Sequence, residues 1–155
     1  MINARENLLN TSNKLLTTGL NHGASGNCSC RDRGGFLITP TGVDSAKLTT
    51  DMMVRMNLSD DFPQPENKYQ PSSEWQFHQA ILEKYPEINA VVHTHSVFAS
   101  SLSVLGQEIP AFHYMIAVAG GNSVRCAPYA MFGTKELSDN ILEAIKDRKA
   151  CLLSN

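Results

Sequence analysis

The chain has 155 residues, of which 42% are hydrophobic and 18% are charged, and its formal net charge is −2. This length and composition are typical of a single globular domain with a core of its own. A charge so close to neutral gives no electrostatic basis for binding nucleic acid or an anionic membrane. The apolar runs are shorter than a membrane span, and the start of the chain lacks a signal-peptide pattern. We therefore expect the protein to bind neither nucleic acid nor a membrane.

The four cysteines, at positions 28, 30, 126 and 151, form no Cys-x-x-Cys pair. Their spacing and apolar contexts are typical of small core residues in a reduced protein, so we expect a cytoplasmic location. A Cys-x-Cys metal clip at Cys28 and Cys30 is the alternative.

The first half of the chain predicts one helix followed by three strands. Leucines at helical spacing over residues 3–18 form an apolar face, and a glycine follows them. Residues 28–31 and 36–39 alternate as two strands around Asp-Arg-Gly-Gly, which indicates an antiparallel hairpin. A third strand is predicted over 52–58, and the proline-containing stretch 62–70 indicates a surface connection.

A helix is predicted to begin near Glu74 and to end at about Tyr85, because Pro86 follows. Ser73 and Gln76 have the spacing of a capping box, which marks its start. His78 lies one turn after Glu74 and is interpreted as a polar surface residue, with a role as partner of Glu74 as the alternative. The helix face predicted to be inward carries Phe77, Ala80, Ile81 and Tyr85.

The second half predicts further alternation of strands and helices. Thr134 is the expected N-cap of its last helix. His113, in an apolar stretch over 109–121, is interpreted as a packed structural histidine. The other predicted elements are a short buried strand over 90–92, a helix over 96–105, a strand over 124–127, a helix over 134–146 and a strand over 150–153. Together these elements predict an α/β (α+β) fold, in which helices flank a central mixed or mostly antiparallel sheet. We expect residues 1–155 to form a single domain.

His93 and His95 directly follow the predicted strand over 90–92. On a continuing strand, residues two apart point to the same face, so the two imidazoles would form half of a divalent-metal site, most often for zinc. The alternative is two unrelated polar residues at a strand end. Glu74, at the start of the preceding helix, offers a carboxylate that favours the metal site.

Three short stretches can hold an anion. The loop 21–27 consists of small and turn-forming residues whose backbone N–H groups can close around a negative charge, although an ordinary turn is the preferred interpretation of these residues alone. The turn at Thr41 and Gly42 offers a hydroxyl and an N–H group. Ser72 and Ser73 lie at a helix N-terminus, a position suited to phosphate, unless both serines only cap the helix.

Several of these motifs, taken together and in order, resemble the class II aldolase/adducin family. They are Gly26-Asn27, Ile38-Thr39-Pro40-Thr41-Gly42, Pro71-Ser72-Ser73-Glu74, His93-x-His95 and His113-Tyr114-Met115-Ile116. The resemblance runs nearly from end to end of the chain. Ser-Ser-Glu favours the family's aldolases, because its ribulose-5-phosphate 4-epimerases are expected to carry Asp at the position of Glu74.

The resemblance implies a role for each matching residue. Glu74, His93 and His95 would bind one Zn²⁺ per subunit, and Glu74 would also be the catalytic base. Tyr114 would be a further catalytic residue that reaches the site of a neighbouring subunit in a homotetramer. The substrate phosphate would be held by Gly26, Asn27, Thr41, Gly42, Ser72 and Ser73.

The implied reaction is the zinc-dependent cleavage of a sugar 1-phosphate, such as L-fuculose 1-phosphate, to dihydroxyacetone phosphate and an aldehyde. It would pass through a metal-stabilised enediolate. One alternative is another phosphosugar reaction of the family, a 4-epimerisation or a dehydration. The other is an inactive, adducin-like module that binds partners without catalysis.

The chain departs from the family pattern at its C-terminal end. Members carry a further histidine in an Asn-His-Gly motif at the point where this sequence stops, at Asn155, followed by helices and a late tyrosine. The domain therefore lacks the family's C-terminal segment, and we expect reduced metal affinity and low activity from residues 1–155 alone.

Overall fold

The computed structural model describes residues 3–59, 61–62 and 67–154. Within it the chain divides into two compact units, with the boundary between Ser96 and Val97. The prediction of one domain over the whole length stays a prediction. The expected surface connection over 62–70 lies partly outside the described residues, since 63–66 are not among them.

The first unit is built on a four-stranded antiparallel sheet in the order β3-β2-β1-β4. The predicted hairpin is confirmed, with Ser29 opposite Ile38 and Asp32 opposite Gly35. Its turn uses left-handed backbone at Arg33 and Gly34, the conformation that matches the twist of the two strands. The strands are β1 (Asn27–Asp32), β2 (Gly35–Ile38), β3 (Val54–Asn57) and β4 (Ala90–His93).

One face of this sheet is covered by α1 (Ala4–Thr17). The helix begins with a capping box, in which the Glu6 carboxylate accepts from the Asn3 N–H and the Asn3 side chain accepts from the Arg5 N–H. Leu8 packs with Cys28, Leu37 and Met53 in a buried cluster. The core interpretation of Cys28 is thereby confirmed, and burial raises the pKa of its thiol to about 11, which disfavours the thiolate that a metal clip needs.

The opposite face of the sheet is covered by α2 (Trp75–Lys84). Leu82 packs there against Phe36, Ile38, Val54 and Met56 in a second buried cluster. The helix extends as predicted, but its inward face is rotated from the predicted one. The buried residues of α2 are Phe77, His78, Ile81 and Leu82, so the interpretation of His78 as a surface residue is wrong.

The predicted capping box at the start of α2 is also wrong. Glu74 is the N-cap, and its side chain makes no capping bond. Ser72 forms a turn just before the helix, because its carbonyl accepts from the Trp75 N–H at 3.0 Å and its hydroxyl accepts from the Glu74 N–H at 3.3 Å. This turn starts the helix one residue later than a capping box at Ser73 would.

Strand β4 is an edge strand and not the buried strand that its apolar residues predict. Val92 remains 48% exposed, since β4 pairs only with β1 among the described strands. Its register places Asn27 opposite His93 and Cys28 opposite Val92. This pairing brings the end of β4 to the start of β1, where several of the candidate site residues lie.

The second unit contains two helices and a small parallel sheet. Thr134 is confirmed as the N-cap of α4, its hydroxyl accepting from the Leu137 N–H at 3.2 Å. A 3₁₀ helix, Tyr114–Ala119, occupies part of the apolar stretch. The elements are α3 (Val97–Val104), β5 (Cys126–Ala127), α4 (Lys135–Ala144) and β6 (Leu152–Leu153), with β5 and β6 paired in parallel.

The fold class predicted from the sequence is confirmed, with helices on a mainly antiparallel sheet. In the described ranges, every helix is too short or too polar to cross a membrane.

Candidate active site

Three chain segments meet at one end of the four-stranded sheet. Beyond the β1–β2 hairpin, the Thr39 N–H donates to the Cys28 carbonyl at 3.1 Å, so the turn after β2 lies beside the start of β1. The Ser72 N–H donates to the Thr39 carbonyl at 3.0 Å, and Pro40 pairs with Pro71. The structure therefore gathers the predicted phosphate-binding stretches 26–27, 41–42 and 72–73 around this end of the sheet.

The predicted phosphate contacts differ in their accessibility. Thr41, Gly42 and Ser73 are exposed, whereas Ser72 is buried. The Ser72 N–H donates to the Thr39 carbonyl, and the Ser72 hydroxyl accepts from the Glu74 N–H in the turn before α2. The groups that an incoming anion can reach are thus those of Thr41, Gly42 and Ser73, beside the N-terminus of a ten-residue helix.

Asn21 is a site residue that sequence reasoning missed. Its side chain is buried, and its amide oxygen accepts from the His95 N–H at 2.9 Å while its amide nitrogen donates to the His93 carbonyl at 3.4 Å. This double contact holds the backbone of the His-x-His segment after β4 ends at His93.

Gly26 is required for the Asn21 contact. Its φ is +69°, and a Cβ at this position would overlap the Asn21 side-chain amide. Of the twenty amino acids, only glycine both adopts a positive φ without strain and has no Cβ to overlap the Asn21 amide. Gly26 was predicted as a phosphate contact, and the structure shows that it also makes room for the residue that anchors His93 and His95.

Glu74, His93 and His95 are brought close together. The Glu74 Oε2 lies 3.5 Å from His93 Nε2, and His93 Nε2 lies 3.0 Å from His95 Nε2. Donor atoms on one tetrahedral zinc ion are about 3.3 Å apart, given metal–ligand bonds of roughly 2.0–2.1 Å. Both distances are close to that spacing, and the carboxylate and imidazole donors are ligands that zinc accepts.

The three side chains do not yet surround a common point. No group of three His, Cys, Asp or Glu side chains in the described part of the chain is closed around a metal position. His93 is the shared member of the two contacts, and the His95 ring is exposed.

The electrostatic setting keeps His93 neutral. Burial lowers the pKa of His93; the nearby Glu74 carboxylate opposes this change and His95 adds to it. A neutral imidazole is the form that binds a metal ion.

A second group of polar side chains lies behind Glu74. The Asn27 Nδ2 donates to Glu74 Oε2 at 2.8 Å, and Asn27 Oδ1 contacts His78 Nε2. His78 Nδ1 in turn lies 2.8 Å from the Ser29 hydroxyl. Burial, with a further contribution from His93, lowers the pKa of His78 to about 3. Asn27, predicted as a phosphate contact, thus has its amide engaged with Glu74 and His78, and its role toward phosphate stays a prediction.

His78 could have been found from its position on α2. It lies four residues before Leu82 and next to Phe77, so it belongs to the stripe that faces the sheet. The sequence did not reveal this burial, because histidine is polar and a polar residue four positions after Glu74 is also compatible with an exposed helix face.

Tyr114 and His113 belong to the second unit. Tyr114 opens the 3₁₀ helix and is 80% exposed. His113 is exposed too, and its Nδ1 accepts from the Met115 N–H at 3.2 Å. The packed interpretation of His113 is therefore wrong, since the ring caps a surface turn. The catalytic role of Tyr114 stays a prediction.

Known proteins resemble this chain over nearly its whole length. The model of the Class II Aldolase and Adducin N-terminal domain matches residues 6–155. L-fuculose phosphate aldolase of Escherichia coli K12 is 48% identical over 148 residues, which cover 96% of this chain and 67% of the relative. A 5-methylthioribulose-1-phosphate/5-deoxyribulose-1-phosphate aldolase of Rhodospirillum rubrum is 46% identical over 97% of this chain and 67% of its own length.

Solved structures with a similar fold cover nearly all of this chain. An L-fuculose 1-phosphate aldolase matches with a TM-score of 0.91 and 38% identity, over 98% of this chain and 71% of its own. A second one, from Thermus thermophilus, matches with a TM-score of 0.83 and 26% identity, over 98% of this chain and 76% of its own.

Proposed function

The chain belongs to the class II aldolase and adducin family as an enzyme of the lyase class, and from this we propose that it is a zinc-dependent aldolase of a 1-phosphorylated ketose. The observation that carries the proposal is the placement of Glu74. Its carboxylate lies between the Asn27 amide and the His93 imidazole, at the N-terminus of a helix whose first turn is preceded by Ser72 and Ser73. The proposed proton-accepting group would thus be held next to the proposed phosphate-binding position.

Glu74, His93 and His95 are the residues that would hold the zinc ion. Bound there, zinc would supply a positive charge that polarises a carbonyl and stabilises the negative charge that develops on the substrate oxygens. The neutral state of His93 and the spacing of the donor atoms support this assignment.

Glu74 is the proposed base that takes the proton next to the substrate carbonyl. Asn27 holds one carboxylate oxygen by a 2.8 Å hydrogen bond, which restricts the rotation of the side chain. Orientation of a base in this way is a large part of what proton abstraction requires.

The exposed groups of Thr41, Gly42 and Ser73 are proposed to hold the substrate phosphate. The dipole of α2 adds a favourable field at this end of the helix. Because Ser73 and Glu74 are adjacent in sequence, an anion held there brings the neighbouring carbons of the substrate to the base.

L-fuculose 1-phosphate is the first candidate substrate and 5-methylthioribulose 1-phosphate or 5-deoxyribulose 1-phosphate the second. The two candidates come from the relatives of 48% and 46% identity, which differ too little to separate them. All are ketose 1-phosphates, and cleavage of any of them would give dihydroxyacetone phosphate and an aldehyde.

We also propose that the enzyme is a cytoplasmic homotetramer with Tyr114 reaching the site of a neighbouring subunit. Exposed apolar side chains in the second unit support association, among them Phe98, Phe112 and Tyr114. The four cysteines are free thiols, in accord with a reducing compartment.

The experiment that tests the proposal measures zinc content and proton exchange. Purified protein is analysed for metal, and deuterium incorporation into dihydroxyacetone phosphate is followed in D₂O, which requires no choice of aldehyde. With zinc supplied in excess, because residues 1–155 alone are expected to bind it with reduced affinity, we expect about one zinc per chain. We expect the exchange rate to fall roughly 100-fold or more in Glu74→Gln, as loss of a general base predicts.

Glu83→Gln is the matched control, since Glu83 lies on the exposed side of the same helix. It is expected to keep the wild-type rate. Exchange that persists in Glu74→Gln with zinc bound would overturn the assignment of the base, and absence of bound zinc would overturn the assignment of the ligands.

A further inference from the structure

Behind Glu74 lies a row of three side chains that the proposed reaction does not use directly: Asn27, His78 and Ser29. We propose that His78 is a positioning residue, which orients the Asn27 amide and, through it, the Glu74 carboxylate. The inference rests on the proposed function for the importance of Glu74, and on contacts within the first unit for its geometry.

The chemistry of Glu74 determines the direction of every hydrogen bond in the row. An ionised carboxylate only accepts hydrogen bonds, so Asn27 must present its Nδ2 amide group to Glu74. The Oδ1 of the same planar amide then faces His78 Nε2 and can only accept. His78 must therefore carry its proton on Nε2.

The other ring nitrogen completes the arrangement. With the proton on Nε2, the neutral ring has an acceptor at Nδ1, which lies 2.8 Å from the Ser29 hydroxyl. Ser29 donates to it. The row thus runs from Ser29 O–H to His78, from His78 N–H to Asn27, and from Asn27 N–H to Glu74.

Burial makes this arrangement rigid. Ser29 and His78 are fully buried, and Asn27 is 7% exposed. Ser29 lies in β1 and His78 in α2, so the row is attached to both the sheet and the helix. The His78 ring also stacks on Phe77, with ring centroids 4.6 Å apart.

A flipped Asn27 amide is excluded by the same contacts. It would place Oδ1 against the Glu74 carboxylate and the amide N–H groups against the N–H of His78. The Glu74 carboxylate and a donor at the position of His78 Nε2 both oppose the flip, and supplying that donor is the function that we assign to His78.

The first experiment reads the tautomer of the unmodified protein. Long-range ¹H–¹⁵N spectra at pH 7 distinguish the two neutral forms of histidine and the charged form. We expect His78 to be neutral with its proton on Nε2. A proton on Nδ1, or a charged ring, would overturn the proposal without any variant having to fold.

The second experiment compares His78→Phe with His78→Gln. Phenylalanine keeps the stacked ring but removes both nitrogens, whereas the glutamine amide can again donate at the position of Nε2. We expect the Asn27 side-chain amide protons to exchange with solvent at least about tenfold faster in His78→Phe, and the Glu74 carboxyl ¹³C resonance to move. In His78→Gln both are expected to return toward the wild type, to within about threefold for the exchange rate.

His22→Phe is the control, because His22 is an exposed histidine of the same unit. It is expected to leave the Asn27 and Glu74 signals unchanged. Equal Asn27 exchange in wild type and His78→Phe, or no rescue by glutamine, would overturn the positioning role.

These signals are read without zinc or substrate. A zinc titration of the same samples separates the two ideas: a wild-type protein that binds no zinc would contradict the proposed function, while the tautomer and the rescue would still decide the role of His78. Where zinc binds, we expect its affinity to fall by about 10–100-fold in His78→Phe, as for other groups that orient metal ligands.

Discussion

Asn27 connects the proposed metal ligands with the buried side chains behind them. Its backbone pairs with His93 across β1 and β4, and its side-chain amide contacts both Glu74 and His78. A short amide side chain can do this because its donor and its acceptor lie in one plane and point in different directions. The residues that act through Asn27 and its neighbours can be tested one at a time.

Gly26→Ala should disturb the His-x-His segment from a distance. The substitution combines a positive φ with overlap of the new Cβ and the Asn21 amide, so we expect the free energy of unfolding to fall by about 2–4 kcal/mol. Gly23→Ala is the matched control: its φ is +56° and a Cβ would meet nothing within 4 Å, so only about 1 kcal/mol should be lost. Urea unfolding measures both. Equal losses would show that the Asn21 contact is not constrained by Gly26.

His78 should make the protein sensitive to mild acid. Its pKa is about 3 in the folded protein against an ordinary value of 6.5, so the unfolded chain binds the proton first as the pH falls. Stability is therefore fully present above pH 6.5 and decreases below it, by at most about 1.4 kcal/mol per pH unit for this one group.

His78→Gln removes that titration and should flatten the decline in unfolding free energy between pH 6.5 and 5. Denaturant unfolding at several pH values measures it, with the exposed-site variant His22→Gln expected to follow the wild-type profile. A variant at position 78 with the wild-type pH profile would contradict the assignment.

At the scale of elements, the position of α2 matters most, because this helix carries both Glu74 and His78. Its C-terminal end is held by Arg31 of β1, whose guanidinium donates to the carbonyls of Leu82, Tyr85 and Ile88, at 2.7 Å to Ile88 and 3.1 Å to Tyr85. Leu82 lies in the last turn of α2, and Tyr85 and Ile88 follow it, so these carbonyls have few partners within the helix. The planar fork of arginine serves several of them at once.

Arg31→Lys should therefore be costly although it keeps the charge. One ammonium group cannot replace three directed hydrogen bonds, and we expect the unfolding free energy to fall by about 1–3 kcal/mol. Arg33→Lys, at an exposed position of the adjacent turn, is the control and should change it by less than about 0.5 kcal/mol. Thermal or urea unfolding distinguishes the two. A neutral Arg31→Lys would show that the end of α2 is held by packing alone.

At the scale of the whole molecule, the described chain is two compact units, with the proposed zinc ligands in the first and Tyr114 in the second. The exposed apolar side chains of the second unit are the physical reason to expect association, because large apolar patches seldom remain in contact with water in a monomer.

Zinc should stabilise the molecule through its three proposed ligands. At a free zinc concentration 100 times the Kd, we expect the unfolding free energy to rise by about 2.7 kcal/mol, since the ion binds only the folded arrangement. His93→Ala should abolish the increase, and His113→Ala, an exposed histidine outside the donor set, should keep it. An increase that survives in His93→Ala would place the zinc elsewhere.

The sequence by itself determined the local structure and the family. Hydrophobic periodicity, the Asp-Arg-Gly-Gly turn and the Thr134 N-cap predicted the helices and the hairpin, because each depends on residues close together in the chain. The motifs around Glu74 and His93 could be recognised from the sequence because they are short and contiguous. The family match agrees with the resemblance that they indicated.

Only the tertiary structure decided what lies behind the candidate site. The contact of Asn21 with His95 joins residues 74 positions apart, and the contact of His78 with Asn27 joins residues 51 positions apart. No local pattern encodes such a pairing, because a buried polar residue is chosen for a partner that only the packing of α2 on the sheet brings near. For the same reason the sequence suggested a surface role for His78, and the fold made it part of the core.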